Sequence, residues 1–211
     1  MQEKSCCNEN KDLILDAAAR LFSQKGYAGT SIREIVEAAG ITKPTLYYYF
    51  RNKEELYIEL METAVATFDS VLQEGLSETA DIAAPDRFIY IFQRIHALFE
   101  GNVEVVRLIN SLIWHSVSSA PHVDFIDRHR EAEVMFRHIL EEGARRGEVA
   151  AERIPELLLL LLGFLHSMLV IVVLRPQDID LNDDVIARVV RTLWAGAVRE
   201  PETSTFAGEN E

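Results

Sequence analysis

Cysteine is almost missing from these 211 residues: there are two, Cys6 and Cys7, adjacent to each other near the N-terminus. Neighbours in sequence cannot staple a fold, so no disulfide framework is expected and a reducing, cytoplasmic compartment is the simplest setting. The opening MQEKSCCNENK lacks a basic segment followed by an apolar one, so no secretory signal is expected. Strand-type alternation, internal repeats and low-complexity tracts are also missing. The common catalytic and cofactor motifs do not occur either: no G-x-S-x-G, H-E-x-x-H, P-loop, G-x-G-x-x-G or paired-cysteine zinc spacing. An enzyme is therefore not expected, and neither is a cofactor. Basic residues are in the minority, 21 Lys and Arg against 34 Asp and Glu, for a net charge of −13.

What is present is an ordinary globular composition, 48 % hydrophobic and 26 % charged. The negative charge argues against a nucleic-acid partner until its distribution is considered. Residues 1–53 hold eight basic and six acidic side chains, +2, and the remaining chain holds 13 and 28, −15. A head able to approach phosphates on a body that repels them fits this asymmetry. Six histidines invite a metal reading, and His115, His122 and His129 recur every seven residues. Ser118 to Pro121 breaks the chain between the first two, so no metal site is expected.

The most informative stretch is Thr30 to Lys53, TSIREIVEAAGITKPTLYYYFRNK. Ile32, Ile35 and Val36 have helical spacing, and Ser31 with Glu34 has the form of a capping box, so a short helix starts at Thr30 or Ser31. Gly40 supplies the positive φ of a sharp turn. Thr42 can cap a second helix, and Pro44 fits its first turn. Two short helices about a tight turn make a helix-turn-helix, whose second helix enters the DNA major groove. The run GYAGTSIREIVEAAGITKPTLYYYFRNKEEL, Gly26 to Leu56, resembles the TetR family of bacterial transcriptional regulators. About a dozen positions fall in the family's order, within residues 11 to 60. That resemblance implies a double-stranded DNA operator, a homodimer and a small-molecule effector bound in a helical body.

Elsewhere the pattern is also helical. Leu13, Ile14, Ala17, Ala18, Leu21 and Phe22 form the apolar face of a first helix from Lys11 to Lys25, stopped by Gly26. Asn52 caps a helix running to about Gly75, and Ser77 to Pro85 reads as a loop. Helices follow at Asp86 to Glu100, Val103 to about Ser116, and His122 to Arg146. Leu157 to Leu174 carries no formal charge for 18 residues, long enough to suggest a membrane span. Gly163, His166 and Ser167 interrupt it and no aromatic belt flanks it, so a soluble helix buried on two sides is expected, with no membrane partner. With the last helix, Leu181 to Arg199, it would make a four-helix dimer interface, the family's way of dimerising. The residues assigned to it are Leu158, Leu161, Leu162, Leu165, Leu169, Val189, Leu193 and Trp194.

The expected fold is all-α, about nine helices: a helix-turn-helix head over 1–53, a ligand-binding and dimerisation body over 54–200, and a disordered tail over 201–211. In the head, Lys43, Pro44, Thr45 and Tyr47 are expected to face base edges, with Lys43 able to reach guanine or phosphate. Thr30, Thr42, Tyr48 and Lys53 are expected to meet phosphates, Arg33 to reach either, and Ser31 to belong to the same DNA-binding set. The tyrosines have a second reading as core. The body's candidates for a hydrophobic, aromatic or acyl effector are Phe92, His96, Phe99, Arg107, Asn110, Trp114, His129, Phe136 and His166. Three other readings stand beside a repressor: an activator of the same family, a small-molecule enzyme with a vestigial head, and a helical interaction or membrane-peripheral protein using Leu157 to Leu174.

Overall fold

A computed structural model describes residues 3–114, 120–121, 125–174 and 177–198. His115, His122 and the acidic tail lie outside these, as do the side chains of Trp114 and His129. Among the described residues all regular structure is helical: α1 Glu3–Gly29, α2 Ile32–Ala39, α3 Lys43–Tyr49, α4 Lys53–Glu78, α5 Ala84–Gly101, α6 Val103–Trp114, α7 Phe125–Arg145, α8 Ile154–Leu174 and α9 Asp183–Val198. A single 3-10 turn, Ala151–Arg153, leads into α8. Within α1, Gly26 has φ 71° and ψ 168°, so the long helix breaks there before a last short turn. The segment expected to be a loop from Ser77 to Pro85 is shorter, because α4 continues to Glu78 and α5 already begins at Ala84.

Two separate cores form. The first packs Ile14 and Phe22 of α1, Ile35 of α2 and Leu46 of α3, with Phe50, against Leu56, Tyr57, Leu60 and Met61 of α4. It therefore extends past residue 53. It also takes in Leu108 of α6, flanked by Val105 and Ile109, so one face of a body helix closes the head. Tyr57 sits edge-on to Phe22 and Tyr27, and burial pushes its hydroxyl up to about 12, which keeps it neutral. The second core is built on Phe88 and Phe92 of α5, Phe136 of α7, Leu161 and Leu165 of α8, and Trp194 of α9.

α4 spans both cores. Its head end is buried to Met61 and its body end from Leu72, and no residue between them is buried. At the body end it crosses α5 closely: a Cβ on Gly75 would meet Cγ1 of Ile91 at 2.7 Å, so only a residue without Cβ fits unless Ile91 moves. Arg87 of α5 is 2 % exposed and pairs with Glu142 of α7 at 2.5 Å, tying the two helices together inside the body.

Placing α8 corrects part of the interface expectation. Leu158, Leu161, Leu165 and Trp194 are buried in the chain's own core, and Trp194 donates its indole N–H to the Glu148 carbonyl at 3.1 Å. Leu162, Leu169, Val189 and Leu193 are half-buried. The large apolar side chains of α8 that face outward are Leu159, 73 % exposed, Leu160, 48 %, and Leu174, 67 %. The helix is apolar on every side, so its composition gives no hint of which side meets the core. By length and composition it could also cross a membrane. Its inner side, however, is filled by the rest of the body.

Candidate nucleic-acid interface

The helix-turn-helix is held by local chemistry at every corner. Ser31 is the N-cap of α2: its side chain accepts from the Glu34 amide, while Glu34 accepts from the Ser31 amide and hydroxyl, both at 2.8 Å. Lys25 of α1 donates to the same carboxylate at 2.6 Å. Gly40 ends α2 at φ 68° and ψ 26°, the left-handed conformation that reverses the chain without steric cost. Thr42 caps α3 by accepting from the Thr45 amide, and Pro44 lies in the first turn. Leu46 and Phe50 bury the inner side of α3. Asn52 then caps α4 through the Glu55 amide at 2.8 Å.

What remains outside is a compact exposed tip. Lys43 and Pro44 are exposed, Tyr47 is 51 % exposed and Tyr48 75 %. Lys43 has no carboxylate partner among the described residues, so its charge is available to an anion. Thr45 shares a 2.8 Å hydrogen bond with Thr42 between their hydroxyls, which fixes both at the N-terminus of α3. Arg33 is exposed and bonded to Glu37 at 2.8 Å, a pair that a phosphate could replace. Tyr49 is half-buried, its ring edge-on to Tyr48.

Two expected phosphate contacts are placed differently. Thr30 is 2 % exposed, and its hydroxyl donates back toward the carbonyls of Leu21 and Gly26, at 3.2 and 2.9 Å. The free carbonyls at the end of α1 hold it, so it does not face outward. Lys53 donates to the carbonyls of Tyr27 and Thr30 instead of pointing to solvent.

The carboxyl of Glu34 is pulled from its ordinary 4.5 down to about 2, first by Lys25 and then by Ser31. A depressed carboxylate stabilises the fold above its unfolded value and loses that contribution as pH falls through the folded one. Thermal melting of the wild type should therefore weaken between pH 4.5 and about 2. Glu34→Gln keeps a capping side chain without the charge and should flatten that part of the profile. Identical profiles would sink the assignment.

The candidates in the body sit in different surroundings. Phe92 and Phe136 are fully buried, ring edge to face with centroids 5.5 Å apart, and Phe164 fills the next position. Phe99 stacks on Phe68. His96 is buried with Nδ1 3.8 Å from Glu100, and His166 is half-buried. Asn110 is 4 % exposed with an unpartnered Oδ1. Arg107 belongs elsewhere: it bonds Glu104 at 3.0 Å, and Glu104 also accepts from Ser23 of α1, so Arg107 lies at the seam between head and body. Nothing local in the sequence announced that seam, since its partners are 81 residues apart.

Residues 14–60 match the model for bacterial regulatory proteins of the tetR family. The HTH-type transcriptional regulator AcrR of Shigella flexneri is 26 % identical over 217 residues, covering 95 % of this chain and 97 % of AcrR. The head of the chain, residues 14–60, is a TetR-family domain. The negative transcriptional regulator IcaR of the biofilm operon icaADBC in Staphylococcus epidermidis is 33 % identical over 111 residues, 53 % of this chain and 55 % of IcaR. The crystal structure of AibR in complex with isovaleryl coenzyme A and operator DNA superposes with a TM-score of 0.62 at 26 % identity, covering 88 % of this chain and 98 % of AibR. As a TetR-family member the chain is a DNA-binding transcriptional regulator.

Proposed function

We propose that this TetR-family chain is a cytoplasmic homodimeric repressor that binds a palindromic operator and is released by a small hydrophobic effector of acyl or aromatic character. The observation that carries the DNA part is the capped, buried-backed α3, which leaves Lys43, Pro44, Tyr47 and Tyr48 outward. Two such helices in a dimer reach successive major grooves when half-sites lie roughly 34–36 Å apart. Support for a repressor comes from IcaR, a negative regulator. Support for an acyl-type effector comes from AibR, which holds isovaleryl coenzyme A and operator DNA together. The outward stripe Leu159, Leu160, Gly163 and Ser167 of α8 is the surface offered to a second copy, beside a groove of about 260 Å³ lined by Arg153, Glu156, Thr192 and Leu193. An effector releases DNA only by preferring the conformation whose heads are wrongly spaced; moving that equilibrium from 1:99 to 99:1 takes about 5.5 kcal/mol.

Selection from random duplexes tests this reading. The wild type should enrich a palindrome. Lys43→Ala should weaken binding to all duplexes and lower the salt slope by about 0.9. Thr45→Ala should instead change which bases are preferred, by roughly 1–3 kcal/mol at one position. If neither variant changes affinity or preference, α3 is not the groove helix.

A further inference from the structure

We infer that Glu148, in the turn between α7 and α8, is a positioning residue: it ties the body end of the α4–α5 pair to α9 and so sets how far apart the two heads of a dimer stand. The inference rests on the dimeric DNA-binding reading above. Three groups of this one residue reach three elements. Its carboxylate accepts from the Ala84 amide at 2.7 Å, its carbonyl accepts from the Trp194 indole N–H at 3.1 Å, and its amide donates to the Gly143 carbonyl at 2.9 Å. Ala84 begins α5, Trp194 lies in α9 and Gly143 in the last turn of α7.

The sequence leaves the start of α5 in need of a partner. Ala83 precedes it and has no side-chain oxygen for the first amides, which have no acceptor along the helix. The cap comes instead from 64 positions away, as a carboxylate, the charge that the helix dipole favours at that end. Arg146, two residues earlier, donates to the carbonyls of Ala80 and Ile82 at 2.9 and 3.1 Å, so the same turn also holds the α4–α5 connection. On the other side of Glu148, Thr192 and Leu193 adjoin Trp194 and line the groove beside the α8 stripe offered to a second copy. Phe88 of α5 packs on Trp194, but apolar packing is non-directional, and the hydrogen bonds of Glu148 are what fix the angle between α5 and α9. From α5 the constraint passes to α4 at the close crossing of Gly75 and Ile91, and α4 carries it to Leu56, Tyr57 and Leu60 in the head core. α4 has 26 residues, roughly 39 Å at 1.5 Å each. A tilt of about 5° at the anchored end therefore moves the head end by about 3 Å, close to the rise of one base pair.

The test uses the full-length protein, the operator it selects, and two operators with two base pairs added or removed between the half-sites. Each change turns one half-site by about 70° and moves it by about 7 Å relative to the other. Glu148→Ala removes the carboxylate, Glu148→Gln keeps an acceptor oxygen, and Trp194→Phe removes only the donor on the α9 side. The wild type should prefer its own spacing about a hundredfold, because an altered spacing leaves one head unengaged. In Glu148→Ala and in Trp194→Phe that preference should fall about tenfold, and Glu148→Gln should restore most of it. A simple loss of folded protein lowers affinity for every spacing equally and leaves the ratio intact, so the ratio separates positioning from bulk destabilisation. Should Glu148→Ala fail to fold, Trp194→Phe keeps an aromatic ring against Phe88 and carries the test: a lowered spacing preference supports the inference and an unchanged one overturns it. A wild type that selects an operator but is indifferent to spacing overturns the inference while leaving DNA binding in place. One that selects no duplex overturns the DNA-binding reading, and the inference with it.

Discussion

Replacing Leu159 and Leu160 together with glutamate should leave a folded monomer whose operator affinity is about a hundredfold lower, because two linked half-site contacts become one. Both side chains point away from the chain's own core, at 73 % and 48 % exposure, so the substitution does not disturb Leu157, Leu158 or Leu161 behind them. A leucine buried in full contributes roughly 1.5–3 kcal/mol. Four of them at a two-fold interface therefore supply much of its stability, and four carboxylates in their place repel one another. Sedimentation gives the mass, and fluorescence anisotropy with a labelled operator gives the affinity. A variant that remains dimeric would move the interface off this side of α8. A wild type that is monomeric in buffer and partitions onto vesicles would assign the stripe to lipid.

The second large effect concerns Arg87. Its guanidinium is buried at 2 % exposure, its Nε has no partner, and Glu142 is the carboxylate that balances it. Glu142→Ala should cost about 3–5 kcal/mol, because an uncompensated charge is left inside the body. Arg87→Met combined with Glu142→Leu should recover most of that loss, since a buried ion pair contributes little over well-packed apolar side chains. Denaturant titration of the two variants gives the difference directly. If Glu142→Ala melts like the wild type, water or another group solvates Arg87 and the pair is not what joins α5 to α7.

Most of the head was legible in the sequence because its signals are local. The Ser31–Glu34 box, the left-handed Gly40, the Thr42 cap and the Asn52 cap each involve residues within three or four positions of one another. The hydrogen bonds of Thr30 and Lys53 were not foreseen, for the opposite reason. A polar side chain near a helix end suggests a phosphate contact, and the carbonyls that claim each of them belong to a corner that exists only once the chain has folded. Leu158, Leu161 and Leu165 were assigned to a partner because α8 offers leucine on both sides, at 157, 158, 161 and 165 inward and at 159 and 160 outward. Periodicity identifies a helix but cannot orient one that has no polar side. Arg87, set in an otherwise apolar helix, gave no sign that its partner lay 55 residues away.

Leu108 gives the architecture a further consequence. The boundary expected between head and body falls near residue 53, but the head's core is finished by α6, a helix drawn from the other half of the chain. The head is therefore not a cassette. A recombination that joins it to a foreign body at the end of α3 would strand Leu56, Tyr57, Leu60 and Met61. A join after α4 would still expose the surface that Leu108 covers. A working chimera has to bring the α6 residues Val105, Leu108 and Ile109 along with the head, so the unit of exchange is a set of contacts and not a continuous stretch of sequence.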